Sequence, residues 1–276
     1  MPVHAPTTLR EAAEILAEHP DAHLLTGGTD MMVEVNFNHR KPETVIALRQ
    51  VRELTEWHID SSAGRVVIGA GVPYADMEHG PLADALPALA EAARTVGSPQ
   101  IRAAGTLGGN LGTCSPAGDS LPVLSAMDAT IHLVSASGER AVPFSEFMTG
   151  PKRHSAAPDE IISAVSLPVA RGPQGYAKVG VRNAMVISVA SACLALEPGA
   201  PRLALGAVGP VIIRCHGAEA WLTSALSAPD ALDTAEFGRM AAAESRPIDD
   251  HRSTAAYRRH AVAVLATRLL ERGLAR

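Results

Sequence analysis

Aromatic side chains are scarce in this 276-residue chain, at 3%, and it has only three cysteines. Cys114, Cys193 and Cys215 stand far apart and form no C-x-x-C pair, which argues against iron–sulfur clusters and structural zinc within the chain. Their odd number argues against a disulfide framework. The H-E-x-x-H, G-x-S-x-G, P-loop lysine and G-x-G-x-x-G motifs are all missing, so metalloprotease, hydrolase, kinase and Rossmann-type readings have no support. Charged residues make up 19%, the net charge is −5, and no basic stripe is present, so nucleic acid is not expected as a partner. No run approaches the roughly 18 apolar residues of a membrane helix. The N-terminal MPVHAPTTLREAAEIL lacks the apolar centre of a signal peptide. A cytoplasmic protein without membrane insertion is expected.

What is abundant is small and apolar. Apolar residues reach 47%, enough for one large domain or two to three small ones. The oddest stretch is AAGTLGGNLGTCSPAGDS, Ala103 to Ser120, with Gly105, Gly108, Gly109, Gly112 and Gly118 and no Lys or Arg. Bare backbone of this kind implies that something approaches it closely.

Local signals give an α+β pattern. Thr8-Leu9-Arg10-Glu11 has capping-box spacing and opens an Ala-rich helix to about Glu18, ended by Pro20. His23–Leu25 and Thr44–Leu48 read as short strands. Trp57–Ile59 and Arg65–Ala70, joined through Ser62-Ala63-Gly64, read as a hairpin. Helices are expected at about Tyr74–His79, Pro87–Val96 and Leu121–Met127, and strands at Ala129–Ser135, Arg140–Val142 and Glu160–Leu167. Pro168 to Pro173 is the best linker. Beyond it come strands near Tyr176–Val181, Ser188–Leu196 and Arg202–Val208, then helices at Ala218–Ser227, Thr234–Glu244 and Ser253–Arg272. The expected modules are 1–54, 55–168 and 174–276.

Two glycine loops carry the chemistry. Leu25-Thr26-Gly27-Gly28-Thr29-Asp30 follows a strand directly. Adjacent glycines let successive backbone N–H groups converge, and Thr26 and Thr29 add hydroxyls, a combination suited to an anion such as phosphate. The alternative is a plain strand-to-helix turn. Thr106-Leu107-Gly108-Gly109-Asn110-Leu111 has the same character, with Thr113 and Ser115 downstream. If the two loops meet, they clamp a diphosphate using backbone donors and hydroxyls alone. Asp119 suits sugar-type hydroxyls; its alternative is an N-cap for the helix at Leu121.

The stretches LLTGGTDMM, GTLGGNLGTCSPAGDSLPVL and DEIISAVSLP, with the tail PIDDHRSTAAYRRHAVAVLATRLL, resemble the flavin-binding subunit of the molybdenum hydroxylases. That family includes the medium subunit of aerobic carbon monoxide dehydrogenase and the flavin domain of xanthine dehydrogenase. The resemblance spans nearly the whole chain and keeps motif order. It implies a two-part FAD-binding domain, a small α/β module plus an α+β module with a mixed short-strand sheet. A C-terminal α+β domain of antiparallel strands and helices follows and covers the flavin side. Carried over by position, Leu25, Thr26, Gly27, Gly28, Thr29 and Asp30, with Thr106, Gly108, Gly109, Asn110 and Thr113, hold the cofactor's diphosphate region. Asp119 binds the ribityl chain, Ile162 lines the adenine or flavin pocket, and Lys178 matches a lysine common in bacterial relatives. Thr26 stands where many relatives have Ala, and Arg182-Asn183-Ala184-Met185 lacks the aromatic that some relatives set near the flavin.

The resemblance further implies an electron-transfer flavoprotein working with an iron–sulfur subunit and a molybdopterin subunit, passing electrons to an external acceptor. No proton-transfer constellation stands out, which agrees with redox chemistry carried by a cofactor. A covalent flavin link needs a His, Cys or Tyr aimed at the ring; the eleven histidines are scattered and none sits in a glycine loop, so FAD is expected to be noncovalent. Two other readings stay open: a stand-alone FAD-dependent oxidase or dehydrogenase, and a flavin-free scaffold in which the glycines serve only turns. Cys114 reads as a small buried filler, Asp249-Asp250-His251-Arg252 as a solvated helix start, and Trp57 and Trp221 as structural.

Overall fold

The computed structural model describes residues 2–227 and 232–275; residues 1 and 276, the outer ends of the first and last expected modules, lie outside the described residues, as do 228–231. Near the N-terminus, helix Leu9–Glu18 starts where Thr8 accepts a hydrogen bond from the Glu11 amide, and Glu11 reaches back to the Thr7 amide at 2.8 Å. Its apolar face, Ala12, Ala13 and Leu16, packs on a three-stranded parallel sheet ordered Val3–His4, Val45–Ala47, His23–Leu25.

A five-stranded sheet follows, ordered Trp57–Asp60, Arg65–Gly69, Ile161–Pro168, Thr130–Ser135, Gly138–Pro143, with every ladder antiparallel. Alternation sets its faces: Val66 and Ile68 are fully buried, while Arg65 before them and Val67 between them are only partly covered. Helices Pro87–Thr95 and Leu121–Ala126 bury nearly all their apolar side chains behind this sheet.

The C-terminal sheet is antiparallel in the order Gln174–Val179, Ala190–Glu197, Ala200–Gly206, Ile213–Arg214. Its central strand, ASACLALE, is buried on both sides. Cys193 and Ala195 join the core beneath the five-stranded sheet, whereas Ala190, Ala192 and Leu194 face helices His216–Ala225, Thr234–Glu244 and Ala255–Leu274. A strand of small residues lets two layers approach it closely, and that shared core locks the C-terminal unit onto the preceding one.

One local expectation needs correction. The segment read as a second glycine loop is helical: Pro99–Ala104 forms one short helix and Leu107–Thr113 another. Glycine disfavours a helix interior by about 1 kcal/mol against Ala, so propensity pointed to a loop. Thr106 overrides it by capping the helix, accepting from the Gly109 amide at 3.0 Å, and Cys114 closes it in a left-handed turn at φ 48°.

Candidate functional site

The two glycine segments, 80 residues apart in sequence, meet: the hydroxyls of Thr26 and Thr106 lie 3.2 Å apart. A second link follows, the Thr113 hydroxyl donating to Asp30 at 3.2 Å. Between them opens a cleft of about 610 Å³, within the usual range for a small-molecule site. Of the residues expected at the site, Leu25, Thr26, Gly27, Gly28, Thr29, Asp30, Thr106, Gly108, Gly109, Asn110, Thr113, Asp119 and Ile162 all line it, and Lys178 does not.

The meeting is possible because both chains are bare. A Cβ at Gly27 would stand 1.7 Å from the Ala104 carbonyl oxygen, and one at Gly108 would stand 2.5 Å from the Ala70 Cβ. Those glycines serve chain-on-chain packing. Gly112, which also lines the cleft, is different: nothing lies within 4 Å of where its Cβ would be.

The two segments differ in what they offer a ligand. Gly28 takes a left-handed φ of 68°, turning the chain between strand His23–Leu25 and helix Met31–Asn36. Among the described residues, no protein acceptor meets the amides of Gly27, Gly28, Thr29 or Asp30. Four consecutive unpaired N–H groups in such a turn make an anion nest. In the helical segment the amides are already used. Leu107 donates to Val72, Gly108 to Ala70, Gly109 to the Thr106 hydroxyl and Asn110 to the Thr106 carbonyl. A symmetric backbone clamp is therefore not what the chain builds, because the helix consumes the donors on one side.

Asp119 and Lys178 form one buried pair at 2.6 Å, the side chains 8% and 9% exposed. Asp119 also accepts from the Tyr176 hydroxyl at 2.8 Å, from Ser188 at 2.6 Å and from Thr95 at 3.5 Å. Lys178 completes its three donors on the carbonyls of Thr95 and Val186. It stands behind the cleft as a brace, and Val186, with Met185 and Ile187, lines the cleft from the loop between strands Gln174–Val179 and Ala190–Glu197. Asp119 does not cap the helix at Leu121, where Ser120 takes the N-cap position.

Several lining residues escaped sequence reading. Lys152 reaches Glu34 at 2.8 Å across the mouth and, by that hydrogen bond, holds the Glu34 carboxyl below the usual range. His154 stacks on Phe147 with ring centroids 5.3 Å apart, and burial pushes its imidazole down. Tyr74 lies at the cleft floor, 3% exposed. Each comes from a distant segment, and only the Gly150-Pro151-Lys152 turn carried any local signal. Cys114, by contrast, is fully buried in the core, and burial raises its thiol to about 11, an unreactive filler.

Residues 1–170 match the FAD binding domain in molybdopterin dehydrogenase, and residues 176–272 match the CO dehydrogenase flavoprotein C-terminal domain. The nicotinate dehydrogenase FAD-subunit of Eubacterium barkeri is 34% identical over 201 residues, 70% of this chain and 67% of that protein. The xanthine dehydrogenase FAD-binding subunit of Escherichia coli O157:H7 is 30% identical over 99% of this chain and 95% of its own length. A chain of the reconstituted CO dehydrogenase from Oligotropha carboxidovorans superimposes with a TM-score of 0.90 at 26% identity, covering 100% of this chain and 98% of that one. The chain thus belongs to the FAD-binding family of the molybdopterin dehydrogenases and is the FAD-binding subunit of a molybdenum hydroxylase of the xanthine and carbon monoxide dehydrogenase type.

Proposed function

We propose that the chain is the electron-transfer subunit of its enzyme, holding FAD noncovalently in the cleft. It would take electrons from iron–sulfur clusters on one partner, downstream of a molybdopterin-bearing partner, and hand them to an external acceptor. The observation that carries this is the set of unpaired amides of Gly27, Gly28, Thr29 and Asp30 in a cleft without a lysine at its glycine loops. The residues present fit FAD. The amide nest and the Thr26 and Thr29 hydroxyls would hold the diphosphate. Asn110 would add its amide nitrogen, since its oxygen already accepts from Ser120 at 2.6 Å. Ile162 supplies apolar wall, and the open face of Gly112 leaves room for close approach.

Bound there, FAD supplies two-electron and one-electron transfer; the chain supplies binding, orientation and electrostatics. Asp119 would reach the ribityl chain while Lys178 acts at one remove, fixing the Asp119 carboxylate and the Val186 carbonyl of the cleft-lining loop. The three cysteines are buried and free, which supports assigning iron–sulfur clusters to a partner. The same reading keeps the division into 1–54, 55–168 and 174–276, supported by a linker between strands Ile161–Pro168 and Gln174–Val179. No described helix is long and apolar enough to cross a membrane, and a cytoplasmic location is proposed with the rest.

The test is the absorbance spectrum of the purified chain followed by mass spectrometry of acid-released material. Flavin bands with free FAD in the supernatant are expected. Colour that stays with the precipitate overturns noncovalent binding. A folded, colourless protein that refuses added FAD overturns the reading entirely. Reduction of the flavin by a small organic substrate in the isolated chain would instead favour a stand-alone oxidase.

A further inference from the structure

Tyr74 is held rigidly. Its amide donates to the Gly105 carbonyl at 3.0 Å, and its ring packs in the main core with Leu107 and Leu111. Yet its hydroxyl, buried at the floor of the cleft, meets no hydrogen-bond partner among the described residues. A buried hydroxyl left unpaired is costly, and it persists where something outside the chain completes it.

No neighbour completes it. Asp119 already accepts from Tyr176, Ser188 and Lys178, and the Tyr74 hydroxyl makes no hydrogen bond to it. Ser120 gives its proton to Asn110, and it lies near Tyr74 without reaching bonding geometry. Burial pushes the phenol well up, the neighbouring Ser120 hydroxyl opposes it and the Asp119 charge adds to it, so the phenol remains protonated and available as a donor. Its location says what it would meet. The missing Cβ of Gly105 would touch the Thr29 hydroxyl at 3.3 Å and the Tyr74 ring at 3.5 Å. Tyr74 therefore stands between the amide nest on one side and Asp119 on the other, where a chain of hydroxyls joins a diphosphate to a flavin ring.

We propose that the Tyr74 hydroxyl is a binding residue for FAD, donating a hydrogen bond to the ribityl chain between the flavin and the diphosphate. The assignment rests on the cofactor reading given above. The test uses the full chain freed of FAD, comparing wild type with Tyr74→Phe by fluorescence titration with FAD and by thermal melting of the apoprotein. Loss of one hydrogen bond should weaken FAD binding about threefold to tenfold. The apoprotein should melt at the same temperature or higher, because the variant no longer buries an unpaired hydroxyl. A merely structural tyrosine would lower the apoprotein melting temperature, and that result overturns the assignment. Equal FAD affinity in both proteins also overturns it, and leaves the cofactor reading intact. A wild-type chain that takes up no FAD overturns both.

Discussion

Gly112→Ala separates the two reasons for a bare backbone. Position 112 lies in helix Leu107–Thr113, lines the cleft, and has open space where a Cβ would go. In the apoprotein the added methyl therefore meets nothing, and alanine favours a helix over glycine by up to about 1 kcal/mol. One residue from the helix end, about half of that is expected, a rise of roughly 1–2 °C in melting temperature for a chain of this size. With FAD bound in the cleft as proposed, the methyl would take space that the open face of Gly112 leaves for the cofactor. Inserting a methyl into a packed contact costs about 1–3 kcal/mol, so the dissociation constant for FAD should rise about fivefold to 150-fold. Melting of the apoprotein and FAD fluorescence titration read the two effects separately, and they have opposite signs. Unchanged FAD affinity would refute the claim that Gly112 is bare for the cofactor. An apoprotein destabilised by several degrees would refute the open space itself.

The Asp119–Lys178 pair, buried on both sides, predicts strong coupling. Asp119→Asn and Lys178→Met should each cost about 3 kcal/mol by leaving one buried charge unpaired. The double variant should lose roughly 2 kcal/mol less than their sum in urea denaturation; additivity within about 0.5 kcal/mol would show that the two do not interact. At the far end, Asp250 pairs with buried Arg258 at 2.6 Å. Burial raises the Asp250 carboxyl, but the Arg252 and Ser253 amides and the Arg258 guanidinium outweigh it and bring it to about 2. A carboxyl lowered in the folded state stabilises above its unfolded value of 3.8, and that stability fades as pH falls toward the folded value. Asp250→Asn should therefore be about 2 kcal/mol less stable at pH 6, with the gap to wild type narrowing below pH 4. A gap independent of pH would exclude this linkage.

The sequence carried the fold wherever the signal was local. Thr8 and Glu11 marked a helix start through their own hydrogen bonds, and the Arg65–Gly69 alternation marked a half-buried strand. Helix Thr234–Glu244 has the bounds expected of it, and the helical apolar spacing of Ser253–Arg272 belongs to helix Ala255–Leu274. The glycine-rich helix Leu107–Thr113 was illegible because its intrinsic propensity is overruled by the Thr106 cap and by packing against Ala70 and Val72. At the site, the first glycine loop was legible as an anion nest. The neutralisation of Asp119 by Lys178, and the arrival of Tyr74, Lys152 and His154 at the same cleft, were not. Those contacts join segments tens of residues apart, and no spacing within one segment encodes them.

The most direct test of the central claim follows the backbone amides themselves. A 15N-labelled apoprotein of 28.7 kDa is within reach of transverse-relaxation-optimised NMR. On titration with FAD, the amide signals of Gly27, Gly28, Thr29 and Asp30 should move strongly downfield as they donate to phosphate oxygens. Those of Leu107, Gly108, Gly109 and Asn110, which already donate within the protein, should move far less. FAD binding that leaves the Gly27–Asp30 amides unmoved would contradict the account.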